Sequence, residues 1–229
     1  MQEAIILAGG LGTRLRSAVP ELPKCMAPVN GKPFIAYVIE YLQQQGIKKF
    51  ILSLGYKHEI ITEYISNQLA IDDCQFSIEE EPLGTGGAIK LACSKATEQN
   101  VIVTNGDTLF KVNISSLSSF HINNQADCTL SLKPMNNFDR YGVVELNNNQ
   151  SVISFKEKKW YDSGLINGGV YALNVSSFVK ENLPLKFSFE KDYMEALFNK
   201  RKMYGIVQDE YFIDIGIPED YQRVQEELQ

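Results

Sequence analysis

Glycines and basic side chains crowd into one short stretch near the amino terminus. Residues 4–17 read AIILAGGLGTRLRS, in which an apolar run ends in three glycines and is followed closely by Arg14 and Arg16. Glycines lack the Cβ atoms that would keep a ligand away, and their N–H groups can point at phosphate oxygens. Guanidinium groups match the geometry of those oxygens. The stretch predicts an anion-binding loop, and a plain surface turn between a strand and a helix fits it equally well.

Two better-known phosphate-binding loops are excluded by the residues themselves. A dinucleotide fingerprint that begins at Gly10 needs a third glycine at position 15, where this chain has Leu15. A P-loop ends in glycine, lysine and serine or threonine, and the stretch lacks that ending. The sequence therefore argues against a nicotinamide-dependent oxidoreductase.

The first half of the chain alternates between strand-like and helical patterns. The strand-like runs are AIILA, FILSL, QFSIEE and VIVTN, and the helical patterns cover 33–45, HEIITEYISNQL and GGAIKLACSKA. Pro33 suits the first turn of the first helix and Gly46 suits its carboxyl end. Such alternation predicts βαβ units and a parallel sheet, whose ligands bind beyond the carboxyl ends of the strands.

Beyond residue 110 the pattern changes to strands with few helices between them. The strand-like runs there are ADCTLSLKPM, YGVVELN, SVISFKEK and INGGVYALN, and helices are predicted near 188–198 and 218–228. We expect an antiparallel or mixed extension of the same sheet. With no linker and no repeat in between, one domain over 1–229 is predicted, in which the halves 1–112 and 113–229 share one core.

The composition excludes several classes of function. Of the 229 residues 44% are apolar and 22% charged, and the net charge of −6 argues against a broad nucleic-acid surface or a basic membrane anchor. No apolar stretch approaches the roughly 20 residues that span a bilayer, and no secretory signal opens the chain. Four scattered cysteines and only two histidines disfavour a disulfide framework or a zinc site. We expect a cytoplasmic protein; a homo-oligomer is compatible with the sequence.

A second element, PKCMAPV, brings Lys24 shortly after the glycine loop. AGGLGTRL followed by PKCMAPV resembles the signature of the sugar-phosphate nucleotidyltransferases. Further motifs follow in family order along essentially the whole chain, namely EEPLGTGGAI, TNGD, YGVV, FKEK, INGGVY, FSFEKDY and FIDIGIPEDY. The family usually has a proline where this chain has Cys25. The resemblance implies a Rossmann-like α/β fold with a mixed, mainly parallel sheet flanked by helices.

The resemblance implies that a sugar 1-phosphate oxygen attacks the α-phosphorus of a nucleoside triphosphate, so that pyrophosphate leaves. The nucleophile is already anionic, so charge neutralisation and positioning carry the catalysis. Catalytic roles fall to Arg14, Lys24 and Asp107, and Asp107 and Asp214 take the positions that hold Mg²⁺, a cation that prefers oxygen ligands. Without the resemblance, each aspartate would be interpreted as a turn residue.

The resemblance also makes 1–112 the nucleotide-binding half and places the nucleotide against three motifs there. The residues implied are Leu7, Ala8, Gly9, Gly10, Gly12, Thr13, Arg14, Glu81, Pro82, Gly84, Thr85, Asn105 and Gly106. Glu81 is the candidate for the base, because the N–H donors of guanine suit a carboxylate. Gly84 and Thr85 would in any case suit the start of a helix.

The resemblance makes 113–229 the sugar-phosphate-binding half and places the sugar phosphate against the motifs there. The residues implied are Tyr141, Gly142, Glu157, Lys158, Asn167, Gly168 and Glu190. A carboxylate such as Glu157 can accept two sugar hydroxyls, and Lys158 can hold a phosphate. Without the resemblance, this pair would be a solvated charged patch, and Glu190 a first-turn residue facing a helix dipole.

Within the family, PLGTGGAI, RYGVVELN and FIDIGIPEDY are most similar to guanylyltransferases that act on D-glycero-α-D-manno-heptose 1-phosphate. The partners implied are GTP and that sugar phosphate. Guanylyl transfer to mannose 1-phosphate is an alternative, as is thymidylyl or uridylyl transfer to a hexose 1-phosphate. A catalytically silent nucleotide-sugar sensor on the same fold is an alternative from another class.

Overall fold

The computed structural model describes residues 1–10, 15, 19–69 and 71–228. Its strands are β1 (Glu3–Leu7), β2 (Pro28–Val29), β3 (Lys32–Pro33), β4 (Lys49–Leu54), β5 (Asp73–Ile78), β6 (Asn100–Asn105), β7 (Thr108–Phe110), β8 (Cys128–Phe138), β9 (Val143–Leu146), β10 (Val152–Lys156), β11 (Tyr161–Asn174), β12 (Met203–Val207) and β13 (Phe212–Asp214). Its α-helices are α1 (Phe34–Gln44), α2 (His58–Gln68), α3 (Gly84–Ala92), α4 (Ile114–Asn123), α5 (Val175–Val179) and α6 (Pro218–Glu227). Two 3₁₀ helices cover Lys24–Met26 and Cys93–Lys95, and a π-helical segment covers Phe189–Glu195.

One nine-stranded sheet runs through the molecule. Its strand order is β10-β9-β11-β6-β1-β4-β5, with β8 paired to β11 and β12 paired to β8. The strands β6, β1, β4 and β5 are parallel, whereas β11 is antiparallel to both β6 and β8. The predicted α/β class and the mixed extension of the sheet are confirmed. Strands from both predicted halves of the chain meet where β6 pairs with β11.

The sheet has an apolar core on each face. In β1, Ile5 packs into one hydrophobic cluster and Ile6 into the other, because successive side chains of a strand point to opposite faces. Helices α1, α2 and α6 contribute Phe34, Ile61 and Val224 to the cluster around Ile6. Helices α3 and α5 cover the Ile5 face. Coverage on both faces explains why these strands are apolar throughout.

The ends of α1 match the sequence in one respect and differ in another. Gly46 has φ +90° just after the helix, and the N–H of Ile47 bonds the carbonyl of Leu42 at 3.0 Å, as in a glycine-terminated helix. Pro33 lies one residue before the helix rather than in its first turn. The reason is that Pro33 has an extended backbone (ψ 140°) and pairs within the β2–β3 hairpin.

Two helices of the second half were not predicted. In α4 the side chain of Asn113 accepts the N–H of Ser116 at 2.8 Å, and in α5 that of Asn174 accepts the N–H of Ser177 at 2.9 Å. These are N-caps, and the Asn-x-x-Ser spacing was the available signal. The predicted helix at 218–228 is confirmed as α6, and the one at 188–198 is built around the π-helical segment. Among the described residues, no helix is both long and apolar enough to cross a membrane.

Candidate active site

A cavity of about 520 Å³ opens at the carboxyl ends of β1, β4, β5 and β6, beside the start of α3. The lining residues are Leu7, Gly9, Gly10, Ser53, Gly55, Tyr56, Glu79, Glu80, Pro82, Gly84, Thr85, Ala88, Asn105 and Asp107. Parallel α/β sheets bind their ligands at this edge. The cavity is therefore the candidate active site.

Most of the residues predicted to bind nucleotide are brought together here. Leu7, Gly9, Gly10, Pro82, Gly84, Thr85 and Asn105 all line the cavity. Ala8 and Gly106 lie beneath it, where a Cβ on Gly106 would sit 3.3 Å from the Ala8 Cβ. The predictions for Gly12, Thr13 and Arg14 fall outside the described residues, as does that for Arg16.

Bare backbone is required at Gly9. A Cβ there would lie 3.0 Å from both the Gly55 nitrogen and the Glu79 Oε1 atom, so the turn after β1 packs directly on the turn after β4. The apolar run that ends in glycine thus gives the wall of the cavity its shape. Gly55 follows FILSL as Gly9 follows AIILA, and that repetition was a usable signal for its place in the site.

The glutamates after β5 lie one position earlier than expected. The cavity is lined by Glu79 and Glu80, whereas Glu81 is not part of its lining, although Glu80 and Glu81 are both exposed. The Oε2 atom of Glu79 accepts the N–H of Leu83 at 2.7 Å, which ties down the turn before α3. Of the two glutamates that line the cavity, Glu80 is therefore the one whose carboxylate is not hydrogen-bonded to the Leu83 N–H. The sequence pattern missed both residues because the predicted strand QFSIEE includes them. In the structure β5 ends at Ile78, so that both glutamates lie in the turn after it.

A cluster of three charged side chains lies beside the cavity. The Lys24 Nζ atom is 2.7 Å from Asp107 Oδ2 and 3.1 Å from Asp214 Oδ1. The side chains of Lys24, Asp107 and Asp214 are 13%, 32% and 21% exposed, so the cluster is largely shielded from water. Since Asp107 also lines the cavity, the cluster borders it.

Backbone hydrogen bonds hold Lys24 in place. The 3₁₀ helix that contains it is closed by a bond from the Met26 N–H to the Pro23 carbonyl at 2.8 Å. Cys25, the residue that replaces the usual proline of the resembling family, is buried with 3% exposure. Burial, reinforced by Asp107, raises the pKa of the Cys25 thiol to about 12.

Pairing of β13 with β7 brings the two aspartates together, because Asp107 lies in the turn directly before β7 and Asp214 is the last residue of β13. Asp214 ends β13 opposite Thr108 of β7, and the N–H of Ile215 bonds the Asp107 carbonyl at 3.2 Å. Ile213 and Ile215 are completely buried. The alternation of strand side chains therefore turns Asp214 away from that core and towards Lys24.

The electrostatics keep Lys24 charged. Burial alone would lower the pKa of its ammonium group, but Asp107 and Asp214 together raise that pKa above its usual value. Gly216 permits the close packing, because a Cβ there would lie 2.9 Å from Asp214 Oδ1 and 3.2 Å from the Lys24 Nζ.

The donor set fits Mg²⁺. Two carboxylates contact one and the same nitrogen, so a single cation can bridge them, and carboxylate oxygens are the ligands that Mg²⁺ prefers. Within the described ranges no group of three His, Cys, Asp or Glu residues is arranged as a metal site. A magnesium ion held here would therefore complete its coordination with substrate oxygens and water, as is usual for this ion.

Two predicted sugar-side residues lie near the aspartates. The ring of Tyr141 meets that of Phe212 edge-on, with centroids 6.0 Å apart, two residues before Asp214. Burial and the Asp214 carboxylate raise the pKa of Tyr141 to about 12. Gly142 sits where a Cβ would come within 2.5 Å of the Lys156 carbonyl oxygen.

Asn167 and Gly168 lie in an irregular part of β11, where its register against β8 shifts. The Asn167 side chain donates to the Tyr171 hydroxyl at 2.9 Å and accepts the N–H of Gly169 at 3.1 Å. Gly169 has φ +74°, and a Cβ on it would lie 2.7 Å from the side-chain nitrogen of Asn105. The irregularity thus packs against a residue that lines the cavity, a common place for a bulge.

The remaining three sugar-side candidates are placed differently from one another. The Oε2 atom of Glu190 accepts hydrogen bonds from the hydroxyls of Thr85 (2.8 Å) and Ser188 (3.1 Å). Glu190 therefore supports a residue that lines the cavity. Glu157 and Lys158 are exposed in the turn between β10 and β11, and neither lines the cavity.

A Rossmann-like sheet with a cavity at the carboxyl ends of its strands and an aspartate–lysine–aspartate cluster beside it is typical of a class of nucleotide-handling enzymes. The family model for nucleotidyl transferases matches residues 3–229, and the chain belongs to that family. It is 55% identical, over 99% of its length and 98% of the relative's, to D-glycero-alpha-D-manno-heptose 1-phosphate guanylyltransferase of Aneurinibacillus thermoaerophilus.

Two further relatives agree with this assignment. The enzyme of the same name from Campylobacter jejuni is 48% identical over 96% of each chain. The crystal structure of HddC from Yersinia pseudotuberculosis complexed with GMP-PN matches with a TM-score of 0.88, at 38% identity and with full coverage of both chains. The predicted family and enzyme class are confirmed: the chain is a nucleotidyltransferase.

Proposed function

We propose that this protein transfers GMP from GTP to D-glycero-α-D-manno-heptose 1-phosphate, forming a GDP-sugar and releasing pyrophosphate. The similarity to the two heptose 1-phosphate guanylyltransferases over nearly the whole chain supports this substrate pair. The observation that carries the chemistry is the contact of Lys24 with Asp107 and Asp214 at the edge of the cavity. Two polyanions must meet in this reaction, and Lys24 together with a metal ion held by the two aspartates would neutralise them.

The roles of the residues follow from their positions. A phosphate oxygen of the sugar substrate attacks the α-phosphorus of GTP, the bond to the β-phosphate breaks, and pyrophosphate leaves with that electron pair. Lys24 donates hydrogen bonds to phosphate oxygens, and Asp107 and Asp214 hold the metal. Mg²⁺ bound there supplies positive charge to the phosphate oxygens. Arg14 is proposed as a second cation on the phosphates.

The nucleotide occupies the cavity along the carboxyl ends of β1, β4, β5 and β6. The cavity volume of about 520 Å³ suits a nucleotide-sized ligand. The sugar phosphate approaches from Tyr141, Gly142 and the Asn167–Gly168 irregularity, which adjoin the aspartates and Asn105. Glu157 and Lys158 are proposed to contact the sugar from their exposed turn.

Pyrophosphate release is the direct test. The protein, Mg²⁺ and a panel of GTP, ATP, UTP and dTTP should be crossed with heptose, mannose and glucose 1-phosphates. We expect the highest kcat/KM for GTP with the heptose phosphate. A preference for mannose 1-phosphate would assign the alternative guanylyl transfer, and no pyrophosphate from any pair would favour a nucleotide-sugar sensor.

The substitution Asp107→Asn tests the role of the cluster. It preserves the shape of the side chain and removes its charge, so we expect kcat to fall by about 10²-fold or more. Asp72→Asn is the matched control, since Asp72 is exposed in the turn before β5. Full Mg²⁺-dependent activity in Asp107→Asn would contradict the proposed metal site.

A further inference from the structure

The ammonium group of Lys24 contacts the two carboxylates that we assign to the metal. Its Nζ atom lies 2.7 Å from Asp107 and 3.1 Å from Asp214, so a cation of the protein's own already bridges the pair. Both carboxylates are thereby neutralised in part by one lysine. Asp107 and Asp214 are also the two residues that would hold the metal.

There is little room for a second cation while the lysine is in place. The backbone of Gly216 closes one side, since even a Cβ there would come within 2.9 Å of Asp214 Oδ1 and 3.2 Å of the Lys24 Nζ. The cluster is also largely shielded from water, with the Lys24 side chain 13% exposed. An ammonium and a divalent ion side by side in such a place would repel each other strongly, because the local dielectric is low.

The lysine adjoins the cavity through the contact of its side chain with Asp107. Its backbone is fixed, since the N–H of Ala27 bonds the Lys24 carbonyl at 3.1 Å and the flanking Cys25 is buried. Its long side chain can nevertheless turn at its own rotatable bonds, and Asp107, one of its partners, lines the cavity. Phosphate oxygens arriving there would offer the ammonium group a replacement for the carboxylates.

We propose that Lys24 and the divalent metal compete for Asp107 and Asp214, so that Lys24 is an exchangeable occupant of the metal site. In the free protein the lysine bridges the carboxylates and the metal binds weakly. When a nucleotide enters, the lysine moves to the phosphates and the carboxylates become available. This inference rests on the proposed function, because it concerns the same two aspartates.

The test is a titration of the nucleotide-free protein with Mn²⁺, followed by the electron paramagnetic resonance signal of the free ion. We expect Lys24→Met to bind Mn²⁺ at least about 10-fold more tightly than the wild type, although its turnover falls. The double variant Lys24→Met/Asp107→Asn should lose that gain. Lys24→Arg, which keeps the positive charge, should bind Mn²⁺ as weakly as the wild type.

Two controls separate the effect of Lys24 on Mn²⁺ binding from effects of overall charge and of folding. Lys111→Met removes an exposed lysine and should leave the Mn²⁺ affinity unchanged. The melting temperature reports on the fold, and Mn²⁺ should raise it more in Lys24→Met than in the wild type, because the variant's two carboxylates otherwise repel each other.

Equal or weaker Mn²⁺ binding by Lys24→Met would overturn the competition. Failure of the proposed function would give a different result. Full activity of Asp107→Asn in the pyrophosphate assay would show that Asp107 does not hold the metal. If competition alone is wrong, Asp107→Asn stays inactive while Lys24→Met and the wild type bind Mn²⁺ alike.

Discussion

At the scale of single residues, the position of one carboxylate decides how the base could be recognised. The resemblance assigns this role to Glu81 of EEPLGTGGAI, which follows directly after two further glutamates, Glu79 and Glu80. The structure distinguishes Glu79, whose carboxylate is held by the Leu83 N–H, from Glu80, which lines the cavity beside it. Glu81 does not line the cavity. Glu80 thus replaces Glu81 as our candidate for guanine.

Glu80→Gln should lower kcat/KM for GTP by roughly 10-fold or more, because a hydrogen bond to a charged acceptor is worth about 1.5–3 kcal/mol. The guanine N1–H and N2–H groups are both donors, and an amide in place of the carboxylate offers them one acceptor and one competing donor. Glu81→Gln is the matched control and should leave kcat/KM near the wild-type value. Steady-state kinetics with varied GTP make the comparison. A larger loss in Glu81→Gln would contradict this assignment.

At the scale of elements, the start of α3 is tied to the π-helical segment. The N–H of Phe189 bonds the hydroxyl oxygen of Thr85 at 2.9 Å, and that hydroxyl donates to Glu190 at 2.8 Å. Gly86 lets the two segments approach, because a Cβ on it would lie 2.1 Å from the Phe187 ring. Glu190, expected on the sugar side, therefore contacts a residue of the nucleotide cavity.

Glu190→Ala should raise KM for GTP about 10-fold, because Thr85 loses the charged acceptor that orients its hydroxyl. Glu190→Gln keeps an oxygen acceptor and should restore most of the affinity. Lys191→Ala, an exposed change in the same segment, serves as the control. The measurement is the pair of KM values for GTP and for the sugar phosphate. An increase confined to the sugar phosphate would show that Glu190 acts where the sequence resemblance placed it.

The elements also show how far the sequence could predict the structure. The strands β1, β4 and β6 were predictable because they are apolar runs followed closely by glycines, and Gly46 was predictable as the end of α1 because glycine favours the left-handed backbone found there. The helix α4 was missed because ISSLSSFHIN has a weak apolar face and is recognisable mainly by its Asn113 cap. The contact of Lys24 with Asp214 was not predictable from spacing, since 190 residues separate them and only the pairing of β13 with β7 brings them together.

At the scale of the whole molecule, a buried histidine connects helix α4 to the sheet. His121 of α4 is 1% exposed, and its Nε2 lies 3.2 Å from Asn100 of β6. Its Nδ1 lies 3.0 Å from the Thr129 hydroxyl of β8. Since the Asn100 oxygen can only accept, Nε2 carries a proton in this contact. Burial lowers the pKa of His121 from 6.5 to about 4 despite the opposing effect of Asp127.

This lowered pKa predicts that the fold loses stability in mild acid. Between about pH 6.5 and pH 4 the unfolded chain binds a proton at His121 that the folded chain does not, so the free energy of unfolding falls as the pH falls. From pH 7.5 to pH 5 we expect a loss of about 2 kcal/mol from this residue. Urea unfolding at both pH values should show that loss in the wild type and in His58→Gln, but not in His121→Gln. An identical pH dependence in all three proteins would contradict the account.

The burial of Cys25 has a consequence for the chemical resilience of the active site. Alkylating reagents and peroxides attack the thiolate form of cysteine, and a thiol whose pKa is about 12 scarcely forms it at neutral pH. The sulfur next to Lys24 is thus unreactive as well as buried. A cysteine can therefore stand directly beside Lys24 without giving oxidants an entry to the proposed phosphate-handling centre.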